Sequence, residues 1–246
     1  MTAFTDITNI PTPQCWQDVR DVLDAGVERI ILFGPPGTGK TYAGLNYGNV
    51  AAGAYRVACT EDMTEADITG CWMPSANGTW QWSMGKAIKA WEGDGFTGGR
   101  LVLDEIDRAN GDVESLLLAV TDTIESAKWE HPENGRSVRP RNGFSVVMTT
   151  NLERMDDLPT ALKDRFPVAI RINAPHPAAL ASLPEDLRAP ALASADANRG
   201  RRFSIRTFQT FAKLRGPLGT ERAASLLFGD VAGDILDALR VEAVTS

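Results

Sequence analysis

The sequence predicts an α/β protein with a parallel sheet in a three-layer αβα core, β-hairpin insertions and a small all-α lid at its C-terminal end. Short apolar segments, typical of strands buried on both faces, alternate with segments of helical periodicity. Parallel strands need helical crossovers, so this alternation favours a parallel sheet. Strand patterns fade after about residue 173. We therefore predict a core domain over residues 1–173 and a helical domain over residues 174–246.

The predicted core elements follow in order along the chain. A helix begins after Pro13 and ends near Gly26, with apolar residues at helical spacing. Continuous apolar segments over residues 29–33, 101–103 and 144–149 predict three buried strands. The first of these strands runs directly into a loop of glycine and proline. Each strand is separated from the next by sequence of helical character.

Two β-hairpins are predicted as insertions between these elements. Asn-Gly dipeptides at residues 77–78 and 134–135 are strong hairpin turn patterns. In the first hairpin Trp80 and Trp82 are two residues apart and share one face, and Trp72 on the other arm is a candidate cross-strand partner. These tryptophans can hold the hairpin onto the domain, or present aromatic groups to a partner.

The remaining helices are predicted from their caps and breaks. Thr64 to Asp67 has the pattern of a capping box. In the C-terminal region helical patterns cover residues 205–214, 221–228 and 231–241. The breaks between them are expected at the Gly216-Pro217 pair and at Gly229.

The composition excludes several classes of protein. The 43% of hydrophobic residues is typical of a globular protein. The net charge of −7 argues against non-specific coating of nucleic acid or anionic lipid. Its three cysteines and two histidines show no disulfide or zinc pattern. Asp6 and Asn9 interrupt any signal peptide, and no apolar run approaches the roughly 20 residues that span a bilayer. We therefore expect a cytoplasmic location and no membrane contact.

The loop after the first strand matches the phosphate-binding pattern Gly-x4-Gly-Lys-Thr. Its residues are Gly34, Pro35, Pro36, Gly37, Thr38, Gly39, Lys40 and Thr41. The glycines let successive amide N–H groups point at phosphates, Lys40 would hold the β and γ phosphates, and the Thr41 hydroxyl would bind Mg²⁺. The rival interpretation, a tight turn that binds nothing, is disfavoured by the full match between a strand and a helix. The pattern predicts that a nucleotide and Mg²⁺ bind here; ATP as that nucleotide is implied by the family resemblance described below.

A pair of carboxylates ends the second predicted strand. Asp104 and Glu105 directly follow Leu103, in an arrangement that resembles a Walker B strand. Asp104 would orient Mg²⁺ together with Thr41, and Glu105 would polarise the water that attacks the γ-phosphate. The alternative is a charged strand end at the surface. The adjacency of the two carboxylates favours hydrolysis over binding alone.

The segments GPPGTGKT, LVLDEIDRAN, VMTTN and ALKDRF occur in this order, and together they resemble AAA+ ATPases, which have a P-loop NTPase core. The resemblance spans nearly the whole chain. The DEIDRAN segment, the Trp-rich insertion and the hairpin before the third strand look more like the MoxR-type and dynein-related branch than like proteasomal or metalloprotease AAA proteins.

The resemblance implies roles for three further residues. Asn151 matches sensor 1, which would hydrogen-bond the lytic water or the γ-phosphate. Arg165 matches the arginine finger that acts on a neighbouring subunit's nucleotide, and Arg206 matches sensor 2, in the same site or in a neighbour's. The competing interpretations are surface ion pairs for the two arginines and a turn-forming asparagine at position 151.

The resemblance also implies a homo-oligomeric ring, a hexamer in many relatives, which hydrolyses ATP at shared sites and remodels or activates a partner protein. In the MoxR-like branch such chaperone or maturation partners often carry a von Willebrand factor A domain. The two hairpins would then project toward the central pore, where aromatic tips or arginines grip the partner. The arginines of the second hairpin and its flank are Arg136, Arg139 and Arg141.

Two other functions stay open at this stage. A nucleic-acid-linked motor, like the GTP-using McrB-like restriction subunits, shares much of the motif set. The net charge and the lack of a recognised DNA-binding module count against it, and residues 150–154 depart from the Met-Asn-x-x-Asp pattern of those subunits, which favours ATP over GTP. A nucleotide-gated scaffold with little hydrolysis is the third alternative, against which Glu105 argues.

Overall fold

A computed structural model describes residues 12–109, 111–195 and 202–245, with side chains described as far as residue 240. Asn110 of the DEIDRAN segment and the N-terminal Asp6 and Asn9 lie outside these ranges. The strands are β1 (Arg29–Phe33), β2 (Ala54–Ala58), β3 (Gly70–Pro74), β4 (Trp80–Met84), β5 (Arg100–Asp104), β6 (Trp129–Glu130), β7 (Ser137–Val138), β8 (Ser145–Thr150) and β9 (Val168–Arg171). The helices are α1 (Gln14–Asp24), α2 (Lys40–Asn46), α3 (Glu65–Ile68), α4 (Lys86–Glu92), α5 (Gly111–Val120), α6 (Thr160–Arg165), α7 (Pro177–Ala181), α8 (Glu185–Ser194), α9 (Ile205–Leu218), α10 (Thr220–Phe228) and α11 (Ala232–Thr245).

The chain divides into two compact units. The sheet unit comprises residues 18–34 and 40–171, and the helical unit comprises the described parts of residues 1–17, 35–39 and 172–246. The expected domain boundary at residues 173 and 174 stays a prediction.

The sheet unit is built on a five-stranded parallel sheet in the order β2-β5-β8-β1-β9. The three strands predicted from the sequence are its centre, and their ends differ from the predicted ends by one residue or none. β2 and β9, which flank them, were not predicted. Arg56 interrupts the apolar pattern of β2, and β9 has only three apolar residues before Arg171; edge strands are less deeply buried.

Helices cover both faces of this sheet. On one face Gly44 of α2 lies so close that an added Cβ would be 3.1 Å from Val147 and 3.2 Å from Val102. Leu101 and Leu103 alternate with Val102 along β5, so they face the opposite side. There they belong to a hydrophobic core that includes Ile88 and Trp91 of α4. The predicted three-layer α/β core is therefore confirmed.

Both predicted hairpins are present. Trp72 on β3 is directly opposite Trp82 on β4, and their ring centroids are 5.7 Å apart. Trp82 also packs against Trp129 of the second hairpin at 5.9 Å, which supports the interpretation that a tryptophan holds this insertion in place. Trp80 is different, because 64% of it is exposed.

Two arginines of the second hairpin contact the sheet unit itself. Arg136 forms an ion pair with Glu92, with 2.5 Å between nitrogen and oxygen. Arg139 donates a hydrogen bond to the backbone oxygen of Glu125. Contact between these arginines and a partner protein stays a prediction.

The helical unit has a core of its own. Leu187, Phe208 and Phe228 are buried at its centre. The expected break at Gly216 and Pro217 is wrong, because α9 continues to Leu218. A proline in the last turn removes one hydrogen bond and keeps a helical φ, so it does not end the helix there. The chain turns at Gly219, where φ is +82°.

No helix in the described part of the chain is long and apolar enough to cross a membrane.

Candidate nucleotide and magnesium site

The glycines of the phosphate-loop motif have backbone angles that other residues rarely adopt. φ is +125° at Gly34, +74° at Gly37 and +109° at Gly39. A side chain at any of these positions would strain the backbone. The motif therefore selects glycine for the conformation of the loop, and α2 begins directly after it at Lys40.

Residues 35–39 of the loop pack within the helical unit. The His176 N–H donates to the Thr38 carbonyl oxygen over 2.8 Å. A Cβ added at Gly37 would lie 2.7 Å from the Cβ of Ser204. Ser204 caps α9, where its hydroxyl oxygen accepts from the N–H of Thr207. The start of α9 therefore lies against residues 35–39.

Lys40 is buried among oxygen acceptors, with 5% of the residue exposed. Its Nζ donates to the Gly34 carbonyl oxygen at 2.8 Å and to Oδ1 of Asn151 at 3.1 Å. Burial lowers the pKa of Lys40 to about 8, although the nearby carboxylates Asp104, Asp107 and Glu105 oppose the shift. The charge of this ammonium group is therefore sensitive to what surrounds it.

Asp104 ends β5 with both carboxylate oxygens engaged. Oδ1 accepts from the hydroxyls of Thr41 at 2.6 Å and Thr149 at 2.5 Å. Oδ2 accepts from Nε of Arg56 at 2.9 Å and from its Nη2 at 2.5 Å. Burial would raise the pKa of Asp104, but the bonds from Thr149, Thr41 and Arg56 outweigh burial and lower it. Asp104 is therefore held as a carboxylate.

The Thr41 hydroxyl and the Asp104 carboxylate are suitable donors for magnesium. Mg²⁺ prefers oxygen ligands, and in phosphate sites it takes one or two protein groups and completes its shell with phosphates and water. Within the described ranges no group of three or more His, Cys, Asp or Glu residues could hold a metal ion. The fit therefore depends on these two side chains together with a bound phosphate.

Glu105 has an unusual backbone. Its φ of +58° and ψ of +51° are left-handed, and it is the one non-glycine residue with positive φ among those described. Its N–H donates to Oγ1 of Thr149 at 3.2 Å. On its side chain, Oε1 accepts from Nδ2 of Asn151 at 3.2 Å, and Oε2 is 3.1 Å from Nε of Arg108. Strained conformations of this kind concentrate at functional sites.

Asn151 connects the two motifs. Its amide oxygen accepts from Lys40 and its amide nitrogen donates to Glu105, so one side chain joins the phosphate loop to the end of β5. Its backbone N–H donates to Oδ1 of Asp107 at 3.3 Å, and the Thr150 hydroxyl donates to the same oxygen at 2.6 Å. Asp107 therefore holds the turn that carries Asn151.

The first of the two arginines that the resemblance singled out pairs with a carboxylate outside this network. Nη2 of Arg165, at the end of α6, is 3.5 Å from Oδ2 of Asp122. Its Nη1 is buried, and no acceptor for it is found within the described residues. Arg206 is exposed in the first turn of α9, two residues after Ser204.

Three residues of the site were missed by the sequence analysis. Thr149 and Asp107 each had a visible pattern, since Thr149 is polar within an apolar strand and Asp107 is a further acid just after Glu105. Arg56 had none, because β2 itself was not predicted. The structure brings Lys40 together with Glu105, as the motifs predict.

The parallel sheet, the glycine loop after β1 and the carboxylates at the end of β5 define an α/β protein of the P-loop class. A family model described as AAA domain (dynein-related subfamily) matches residues 29–166, which is more than half of the chain. The chain belongs to this family. The resemblance to the MoxR-like and dynein-related branch of the AAA+ ATPases is thereby confirmed.

Two similar proteins of known name support this assignment. The denitrification regulatory protein NirQ of Stutzerimonas stutzeri is 28% identical over 150 residues, which cover 59% of this chain and 52% of the relative. The protein CbbQ of Hydrogenophilus thermoluteolus is 29% identical over 141 residues, covering 56% of this chain and 50% of the relative. The chain thus spans about half the length of the curated relatives it matches.

Solved structures agree on the fold. The crystal structure of NtrX from Brucella abortus in complex with ADP has a TM-score of 0.53 and 15% sequence identity, and the match covers 98% of this chain and 49% of NtrX. A second crystal structure of NtrX has a TM-score of 0.51 with 16% identity, covering 92% of this chain and 48% of NtrX. At this identity the likeness concerns the fold alone.

Proposed function

We propose that this chain is an ATP-hydrolysing AAA+ ATPase that assembles into a ring, with six copies by family resemblance, and remodels or activates a partner protein. The observation that carries the proposal is the link from Lys40 through Asn151 to Glu105. The Asn151 amide contacts Lys40 on one side and Glu105 on the other, which supports Lys40 as the cation that holds phosphate and Glu105 as the general base.

The proposed roles follow from these contacts. Lys40 and the loop amides would hold the β and γ phosphates, and Asn151 would orient the attacking water. Glu105 would accept a proton from that water while the water oxygen attacks the γ-phosphorus and ADP leaves. Mg²⁺ held by Thr41 and Asp104 would neutralise charge on the phosphates.

Arg165 is proposed to act on the nucleotide of a neighbouring subunit. Its ion pair with Asp122 is long at 3.5 Å, and its buried Nη1 has no acceptor within the described residues. A guanidinium held this loosely can move to a phosphate at modest cost. In that position it would stabilise the charge that develops in the transition state.

Residues 174–246 are proposed to form a helical lid that responds to the nucleotide. Ser204, at the start of α9, packs against Gly37 of the same chain's phosphate loop. Arg206 follows on the same helix and is proposed to act as sensor 2, in the same site or in a neighbour's. The NirQ relatives are described as regulatory proteins, which supports a regulatory role. The partner class we propose is a protein with a von Willebrand factor A domain.

The first experiment compares the Glu105→Gln and Glu125→Gln variants. Loss of the base at position 105 should lower phosphate release from ATP by about 100-fold or more, while ADP and ATP still bind. Glu125 is exposed, and its variant makes the same chemical change away from the site. A Glu105→Gln variant that hydrolyses ATP like the parent would show that hydrolysis is misassigned, and faster release from GTP would refute the preference for ATP.

The second experiment tests the shared site by mixing two inactive variants, Lys40→Ala and Arg165→Ala. An active nucleotide site would form wherever a subunit with an intact Lys40 adjoins a subunit with an intact Arg165. Random mixing in equal amounts should therefore restore about a quarter of the parent activity in a closed ring. No recovery in rings shown to exchange subunits would argue that Arg165 acts within its own subunit or not at all.

A further inference from the structure

Arg56 makes a bidentate contact with one oxygen of Asp104. Nε and Nη2 of Arg56 lie 2.9 Å and 2.5 Å from Oδ2, whereas Oδ1 accepts from the hydroxyls of Thr41 and Thr149. The two oxygens of this carboxylate thus have different partners. Oδ1 is held by neutral hydroxyls inside the site, and Oδ2 is neutralised by a charged group from the neighbouring strand.

The fold positions Arg56 for this contact. β2 pairs with β5 in parallel, with Arg56 opposite Val102 and Ala58 opposite Asp104. A long side chain that extends along β2 from position 56 reaches the end of β5. The Asp104 side chain is only 6% exposed, whereas that of Arg56 is 50% exposed. The carboxylate is therefore fixed in place, and the guanidinium borders solvent.

This asymmetry matters for magnesium, since a carboxylate orients the hydrated ion with an oxygen that can accept from its water shell. Arg56 already donates to Oδ2 and brings a positive charge to the same carboxylate that would orient the cation. Ion pairs that are partly exposed contribute little free energy, so the contact can open. Arg56 and magnesium are therefore rivals for the same carboxylate.

We propose that Arg56 is a positioning residue that competes with Mg²⁺ for the Asp104 carboxylate, and so sets the Mg²⁺ concentration at which the nucleotide site is complete. The inference rests on the proposed nucleotide site. The competition gives the chain a threshold Mg²⁺ concentration. Below it the Arg56 guanidinium holds Asp104, and above it the hydrated ion displaces the guanidinium.

The experiment measures ADP binding by the full chain over a series of free Mg²⁺ concentrations, starting in EDTA. In the Arg56→Gln variant the Mg²⁺ concentration for half-maximal ADP binding should fall about two- to fivefold, the range expected when a partly exposed ion pair is lost. Arg56→Lys keeps the charge without the planar fork and should give a smaller fall in the same direction.

Arg171→Gln is the matched control. Arg171 lies on β9 of the same sheet, its side chain is 53% exposed, and its Nη2 is 3.2 Å from Oε2 of Glu153. Its variant removes an arginine of similar exposure and an ion pair away from Asp104, so its Mg²⁺ dependence should match the parent's. Thermal melts of all variants compare their folding, and Arg56→Lys provides the test if Arg56→Gln does not fold.

The outcomes separate the two proposals. An unchanged or higher Mg²⁺ requirement in Arg56→Gln would overturn the inference, because a residue that merely supports Asp104 would weaken Mg²⁺ binding when removed. In that case the ATPase proposal stands if the parent binds ADP in an Mg²⁺-dependent way. A parent chain that binds no adenine nucleotide at any Mg²⁺ concentration would refute both.

Discussion

The buried ammonium group of Lys40 predicts that nucleotide affinity depends on pH in a range where few other groups titrate. Burial lowers the pKa of Lys40 to about 8 in the chain without nucleotide. Phosphate binding needs the charged form, and the phosphates in turn stabilise that form. Raising the pH through this pKa should therefore weaken nucleotide binding.

The magnitude follows from the fraction of Lys40 that is protonated. If the bound form stays charged, the dissociation constant rises by the factor 1 + 10^(pH − pKa), which is close to one at about pH 7 and about tenfold at about pH 9. Cys59, a buried thiol near the same carboxylates, does not add to this change. The pKa of Cys59 is raised to about 12 by burial and by the same carboxylates, so its thiol stays neutral over this range.

The assay is ADP binding at fixed free Mg²⁺ from about pH 7 to pH 9.5, in buffers of constant ionic strength. Calorimetry in two buffers of different ionisation enthalpy would also show proton uptake on binding, approaching one proton per site above about pH 8.5. The control is Lys40→Arg, because the guanidinium stays charged throughout and its affinity should not vary with pH.

Two results would refute this reasoning. One is an affinity that does not vary between pH 7 and pH 9 without proton uptake, which would mean that Lys40 stays charged in the free chain. The other is the same pH profile in Lys40→Arg, which would assign the titration to another group. If the arginine variant does not bind, the proton uptake of the parent decides the question.

Three further predictions concern stability. Thr149→Val should cost about 1.5–3 kcal/mol because the buried Asp104 carboxylate loses a hydroxyl donor, and Thr149→Ser should recover most of it in urea unfolding. Glu105→Gly should be about 1 kcal/mol more stable than Glu105→Ala, since glycine tolerates the left-handed backbone; equal stabilities would argue against strain there. Gly70→Ala should cost more than about 2 kcal/mol, because its Cβ would meet a backbone oxygen at 2.3 Å, whereas Gly78→Ala has open space and should cost about 1 kcal/mol in the same assay.

The sequence predicts the centre of the fold well, because the central strands are buried on both faces. The predicted segments 29–33, 101–103 and 144–149 consist mostly of apolar residues, and this pattern needs no knowledge of tertiary contacts. The motifs at the carboxyl ends of these strands then share one edge of the sheet. The meeting of Lys40 with Glu105 could therefore be predicted.

The partners of the site residues could not be predicted, because they depend on strand order and register. Arg56 reaches Asp104 because β2 is hydrogen-bonded to β5, and nothing in the sequence of an edge strand indicates its neighbour. Pro217 illustrates a second limit. Its effect depends on its distance from the end of α9, which the sequence does not mark. Local patterns predict which residues can act, and pairing determines what each one contacts.

Asp104, Glu105 and Asp107 are close in sequence, but their carboxylates accept hydrogen bonds from different donors. Asp104 takes its donors from Thr41, Thr149 and Arg56, whereas Asn151 donates its side-chain amide to Glu105 and its backbone N–H to Asp107. These three carboxylates all act on Lys40, and burial still lowers its pKa. A charged group that is so strongly desolvated gains the most interaction free energy when an anion binds beside it. The cost of burying Lys40 in the free chain therefore becomes a source of affinity when phosphate binds.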